Sequence, residues 1–136
     1  MPVSLPEPVK KLLDSPVFGT VATLQPDGSP QLTVVWVTAD GDQILFVTSY
    51  GTRKEKNLRR DPRTTVLINP SDAPYSYASI SGLAEFTDEN AAKLLDELSV
   101  KYSGKVYAEF SPGNVPEADQ LVVVRVTPTR VAGNIR

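Results

Sequence analysis

The chain has 136 residues, 14 Lys and Arg against 16 Asp and Glu, and neither Cys nor His. A chain of this length buries roughly two-thirds of its unfolded surface and supports one hydrophobic core, so one domain spanning residues 1–136 is expected. The missing Cys and His exclude disulfides, thiolate nucleophiles, Cys-bound zinc or iron–sulfur sites, Ser-His-Asp and Cys-His hydrolases and nearly all transition-metal enzymes. Chemistry is left to Lys, Tyr, carboxylates or a cofactor that brings its own reactivity, of which the cofactor is the economical choice.

The N-terminal MPVSLPEPVKK has prolines and charges where a signal peptide needs a continuous apolar stretch. No later apolar run has the length to cross a bilayer, so a cytoplasmic protein without a membrane partner is expected. Residues 6–14 read as a short amphipathic helix, with Val9, Leu12 and Leu13 at helical spacing and Pro8 tolerated in the first turn. Residues 17–24 are β-rich, Gln25-Pro26-Asp27-Gly28 is a turn, and 31–38 is a second strand that closes a hairpin. Ala39-Asp40-Gly41-Asp42 turns again into 43–48. A short basic helix comes next, then a strand over 64–68, the link Asn69-Pro70-Ser71-Asp72, and a long strand over 75–86 on which Tyr75 and Tyr77 share a face. Thr87-Asp88-Glu89-Asn90 opens the longest helix, 91–102, with Ala92, Leu95, Leu98 and Tyr102 as its apolar stripe. Residues 111–116 are loop. The run 120–127 is a strand whose Leu121-Val122-Val123-Val124 is buried on both faces or in a barrel wall, with 131–133 as an extension. Six strands in hairpin order, interrupted by helices unsuited to regular crossovers, give a mainly β fold: an antiparallel β-barrel with peripheral helices.

Residues 53–63 (RKEKNLRRDPR) hold six of the fourteen basic residues. A nucleic-acid surface would spread such charge over a whole face, so a local anion site for phosphate or carboxylate is the better reading. Thr52-Arg53-Lys54-Glu55 fits a capping box, and the turn Ser49-Tyr50-Gly51 lets helix N–H groups and nearby cations converge on one anion. Ser49, Lys54 and Asn57 are the leading contacts, because Lys54 and Arg53 stand three and four residues before Asn57, while Arg59 and Arg60 fall outside that face. The bland alternative is a solvated helix surface with Glu55 and Asp61 as partners. Trp36 is read as a core or dimer-contact side chain in preference to a stacking platform, and Lys101, Lys105 and Arg125 as surface charges or partners of nearby acids.

The strings F-G-T-V-A-T-L, D-G-S-P-Q-L-T-V-V-W, I-L-F-V-T-S, N-L-R-R-D-P-R, Y-S-Y-A-S-I-S-G-L-A-E-F and V-V-V-R-V-T-P-T-R-V span nearly the whole chain. In this order the chain resembles the pyridoxamine 5′-phosphate oxidase-like split-barrel superfamily, and within it the small deazaflavin-dependent branch. The resemblance implies a homodimer of split β-barrels with two equivalent cofactor sites at the subunit interface. It places the phosphate grip on Lys54 and Asn57 with Thr48 and Ser49 at the strand end, and Arg53 as a second cation. Gln31, Leu32, Thr33, Val34 and Val35 would line the cofactor ring, and Tyr75 and Tyr77 would reach the partner's ring. The implied cofactor is coenzyme F420, whose acidic oligoglutamate tail suits the additional arginines, with FMN as the alternative. Haem fits poorly without His or Cys as axial ligand. The implied reaction is hydride transfer between the deazaflavin and a small organic acceptor such as an enone or imine, in a dry slot around Val34, Trp36 and Phe46. An FMN-dependent oxidoreductase and a deazaflavin-binding protein without turnover are the rival readings. The acceptor itself is unassigned, since such pockets are built from apolar side chains and loop shape.

Overall fold

In the computed structural model, which describes residues 1–135, one sheet of seven antiparallel strands curls around an apolar core. The elements are α1 (Glu7–Asp14), β1 (Phe18–Leu24), β2 (Pro30–Trp36), β3 (Thr38–Asp40), β4 (Gln43–Ser49), α2 (Arg53–Arg60), β5 (Arg63–Ile68), β6 (Ala78–Thr87), α3 (Ala91–Ser103), α4 (Tyr107–Phe110) and β7 (Leu121–Gly133), the last preceded by a 3-10 turn at Ala118–Gln120. The strand order is β2-β1-β5-β6-β7-β4-β3. The mainly β architecture is as the hairpin order of the sequence predicts.

Alternation explains the strands that face the core on one side only: β1 and β5 bury every second residue, including Val21, Val66 and Ile68. In β4 and β7 consecutive residues are buried because both faces are covered. Ile44, Phe46, Val124 and Val126 point into the core, whereas Leu45, Leu121 and Val123 pack outward against Ala91 of α3. Val9 and Leu13 of α1, with Leu5, complete the main core.

The sheet's two edge strands, β2 and β3, are consecutive in the chain and separated by Val37 alone. The run 31–38 is therefore not one strand, and the sheet has seven strands where the sequence suggests six. The reason is tertiary. The Val37 N–H donates to the Tyr102 hydroxyl at 3.0 Å and its carbonyl accepts from the Lys101 ammonium, so the backbone at Val37 is bonded to α3 and, among the described residues, to no neighbouring strand. The Tyr102 hydroxyl in turn donates to the Val17 carbonyl, and Lys101 also donates to the Leu13 carbonyl at 2.7 Å. Lys101 is thus a partly buried clamp joining α1, α3 and the β2–β3 junction, where the sequence reading has a surface charge or a partner of a nearby acid.

Three further differences bear on the site. The long strand expected over 75–86 begins at Ala78, because 69–77 closes turns through Ala73 N–H to Pro70 O and Ser76 N–H to Ala73 O. Tyr75 and Tyr77 accordingly sit in a loop, 91% and 40% exposed, and share no strand face. On α3 the buried positions are Ala91, Leu98 and Ser99, and Ala92 is exposed. The four-residue helix α4 carries no periodic signal in so short a stretch and is absent from the sequence reading.

Burial lowers the Lys101 pKa to about 8 from an ordinary 10.5. From about pH 8 upward the unfolded chain therefore holds a proton that the folded chain releases, and stability rises with pH. Above about pH 10 the half-buried Tyr102, whose pKa is raised by desolvation, works in the opposite direction. Urea midpoints at pH 8, 9 and 10 are expected to climb more in the wild type than in Lys101→Met; parallel pH profiles would show that the ammonium is not desolvated.

Candidate functional site

The cleft that carries the site opens where β2 and β4 part. The ladder partner of β2 is β1 and those of β4 are β3 and β7, so no ladder bridges β2 to β4 among the described residues. The start of α2 lies beside this gap. The Thr52 hydroxyl accepts the Glu55 N–H at 3.3 Å, donates to the Ser49 carbonyl at 3.0 Å and lies 3.0 Å from the Thr48 hydroxyl. Thr48 and Ser49 thereby fix the helix start. The Glu55 carboxylate reaches back one residue further than a capping box requires, to the Gly51 N–H at 2.9 Å. That bond, reinforced by Arg59 Nε at 2.8 Å, holds the Glu55 carboxyl below the usual range. Arg59 also stacks its guanidinium 3.8 Å from the centre of the Phe86 ring, which ties α2 to β6.

The opposite side of α2 is strapped to the β1–β2 hairpin. Asn57 is fully buried, and its amide donates to the Thr23 hydroxyl at 3.0 Å, which donates on to Gln31 Oε1 at 3.1 Å. Arg60 donates to Asn57 Oδ1 at 3.4 Å and to the Leu24 backbone carbonyl. Arg63 and Asp61 pair at 2.7 Å, and this hydrogen bond lowers the Asp61 pKa to about 2. The six cations of 53–63 therefore do not converge: Arg59, Arg60 and Arg63 serve the fold, and Arg53 and Lys56 are exposed.

Lys54 is the cation that enters the cleft. Its ammonium donates to the Thr33 hydroxyl at 3.2 Å and lies 5.9 Å from the centre of the Phe46 ring. Desolvation lowers its pKa, and among the described residues it has no carboxylate partner. The cleft holds about 380 Å³. Val34, Val35 and Val47 line it from the sheet and Leu95 and Leu98 from α3, while Phe18, Trp36, Tyr107 and Phe110 form an aromatic group. Thr33 and Trp36 are three positions apart on β2, about 10 Å along the strand, so the cation and the aromatic group mark different ends. A half-buried cation without a carboxylate partner among the described residues, in an apolar slot, suits a flat organic ligand that carries one anionic group.

Of the residues the sequence singles out, Lys54, Thr33, Val34 and Val35 meet at this cleft. Gln31 and Asn57 belong to the buried network beneath α2, Leu32 is 65% exposed, and Tyr75 and Tyr77 lie outside the cleft lining. Sequence reasoning missed Tyr107 and Phe110, whose i, i+3 spacing in V-Y-A-E-F is the one available signal, and read Trp36 as a core or dimer contact while also placing it at the apolar slot.

A curled antiparallel sheet, split along one seam that exposes an apolar cleft, defines the class of split-barrel, flavin-binding oxidoreductase folds. The sequence profile of the pyridoxamine 5′-phosphate oxidase family matches residues 5–134, and the chain belongs to that family. A protein named an F420 reductase has a similar structure, with a TM-score of 0.80 and 27% identity over 94% of this chain and 98% of that one. A conserved hypothetical protein from Mycobacterium tuberculosis gives a TM-score of 0.72 and 29% identity over 96% and 84% of the two chains. An FMN-binding pyridoxamine 5′-phosphate oxidase-related protein from Nostoc punctiforme shares the fold, with a TM-score of 0.59 and 16% identity over 84% and 71%.

The geometry separates a residue that positions α2 from one at its surface. Asn57→Ala removes the buried amide that bonds the Thr23 hydroxyl and is expected to lower stability by about 1–3 kcal/mol in chemical denaturation. Arg53→Ala is expected to change it by less than about 0.5 kcal/mol. Equal effects of the two would contradict the strap.

Proposed function

We propose that the protein is an F420-dependent reductase that transfers a hydride between the bound deazaflavin and a small organic acceptor such as an enone or imine. The observation that carries this reading is the ammonium of Lys54, desolvated, without a carboxylate partner, and facing an apolar cleft. The coenzyme supplies the hydride chemistry; the chain supplies an anchor, an orientation and a dry environment. Lys54 would hold the phosphate, Thr33 would steady the ammonium, and Val34, Val35 and Val47 would exclude water from the ring.

Two features favour F420 over FMN. The FMN phosphate is a monoester with nearly two negative charges, whereas the F420 phosphate is a diester with one, and the cleft offers one cation. Arg53 and Lys56 stand exposed beside Lys54, where a chain of carboxylates leaving the cleft would pass. The likeness to the F420 reductase, nearly complete over both chains, supports the same choice.

We propose further that two copies pair through the outer face of β1 and β2. Phe18, Leu32 and Val34 are 55%, 65% and 66% exposed there, and the register sets Leu32 beside Ala22 and Val34 beside Thr20, with Leu67 of β5 adjoining. This uncharged patch borders the cleft, so a second copy would cover the coenzyme ring.

Fluorescence titration with F420 is expected to give at least about tenfold weaker binding for Lys54→Ala, in line with loss of a desolvated charge-assisted contact, at an unchanged melting temperature. Unaltered affinity, or tighter binding of FMN than of F420 by the wild type, would overturn the assignment. In light scattering the protein is expected to be a dimer and Leu32→Glu/Val34→Glu a folded monomer; a monomeric wild type would contradict the pairing.

A further inference from the structure

We infer that Glu55 sets the charge of the phosphate the cleft accepts, admitting a singly charged diester and disfavouring a doubly charged monoester; this rests on the reductase reading above. Glu55 follows Lys54, the proposed anion anchor, and is the one buried charged residue among those described. Its two oxygens have different partners. Oε1 accepts the Gly51 N–H at 2.9 Å, and Oε2 accepts from Arg59 Nε at 2.8 Å. A glutamine would accept the Gly51 N–H as well, so the helix start requires an acceptor here and not a charge.

The carboxylate acts against a second phosphate charge in two ways. It withdraws donors: the Gly51 N–H and the Arg59 guanidinium are both spent on it, and Arg59 is further held against the Phe86 ring at 3.8 Å. The Thr52 hydroxyl is committed too, to the Ser49 carbonyl and the Glu55 N–H. Arg53 and Lys56 are exposed, so solvent weakens their pull on an anion in the cleft. The carboxylate also adds a fixed negative charge beside Lys54, and burial limits its screening by salt. A monoanion pairs with Lys54, whereas the second charge of a dianion finds repulsion and no cation of its own.

The filter depends on pH through the ligand. Around the carboxylate, α2 itself supplies the charges of Lys54, Lys56 and Arg59; the end of β4 brings Tyr50 and β6 brings Phe86, both through the Arg59 guanidinium. The Gly51 N–H, with Arg59, holds the carboxyl below its ordinary range, so Glu55 is already ionised where a phosphate monoester takes its second charge, near about pH 6. Discrimination therefore sets in as pH rises through that value.

Two flavins that share one ring isolate the charge: FMN, a monoester, and the cyclic phosphate diester of riboflavin, which keeps a single negative charge. In fluorescence titrations of the wild type at constant ionic strength, the cyclic diester is expected to bind at least about tenfold tighter than FMN at about pH 8, with the gap closing to within about threefold at about pH 5. Lys54 meets both ligands, so its own charge cancels in the ratio. Glu55→Gln keeps an acceptor for the Gly51 N–H and is expected to close the gap at about pH 8 to within about threefold or to reverse it. Arg59→Gln leaves the carboxylate uncompensated and is expected to widen the gap, which tests the same charge if Glu55→Gln does not fold. Equal binding by the wild type at the higher pH, a gap that persists at the lower one, a gap unchanged in Glu55→Gln, or one that narrows in Arg59→Gln would each overturn the role of Glu55. F420 titrated alongside separates the two readings: a protein that ignores F420 and keeps the Glu55-dependent gap sinks the coenzyme assignment and leaves the charge filter standing.

Discussion

The arrangement depends on the backbone at Val37. A strand that ran straight through this position would keep β2 and β3 in one ladder and close the sheet. Tyr102 and Lys101 instead take both backbone groups of Val37, so the chain leaves one edge of the sheet and begins the other within a single residue. The energetic logic is that of buried polar groups generally: each would cost a few kcal/mol unpaired, and here α3 pairs them in place of a strand. The seam between β2 and β4, and with it the cleft, follows from that exchange.

The second constraint is the rigidity of α2. Lys54 can remain desolvated only if the helix that bears it cannot tilt outward and hydrate the ammonium. Three attachments oppose this: Thr52 and Glu55 at the strand end, Asn57 and Arg60 on the β1–β2 hairpin, and Arg59 on Phe86. Arg59 and Arg60 therefore matter chiefly as fasteners. One charge in the right place serves the ligand better than several, because cations that converge without an anion repel one another.

Much of the fold was legible in the sequence. Alternation and turn residues place 17–24 and 43–48 within a residue of β1 and β4, and the continuous apolar run at 121–124 announces a strand covered on both faces. The break at Val37 was not legible, since V-V-W-V-T is uniformly β-favouring and the partners that break it lie 64 and 65 residues away. Lys54 reads as a ligand contact from its place in the capped helix, and its ammonium does line the cleft. Asn57, one turn later, reads from sequence as an equally good ligand contact, yet its position faces the hairpin and it is buried. The aromatic wall was hidden for a different reason: α4 is too short to show a period, and its side chains meet Trp36 only through the tertiary fold.

The central claim is that a desolvated lysine, without a carboxylate partner among the described residues, would receive the proposed coenzyme's anion. NMR of isotope-labelled dimethyl-lysine, with the Lys54 signal assigned by its absence in Lys54→Arg, measures that group alone. The account predicts a Lys54 pKa below the ordinary lysine value of 10.5 in the free protein, rising when F420 binds. An ordinary pKa that does not move on addition of the coenzyme would contradict it.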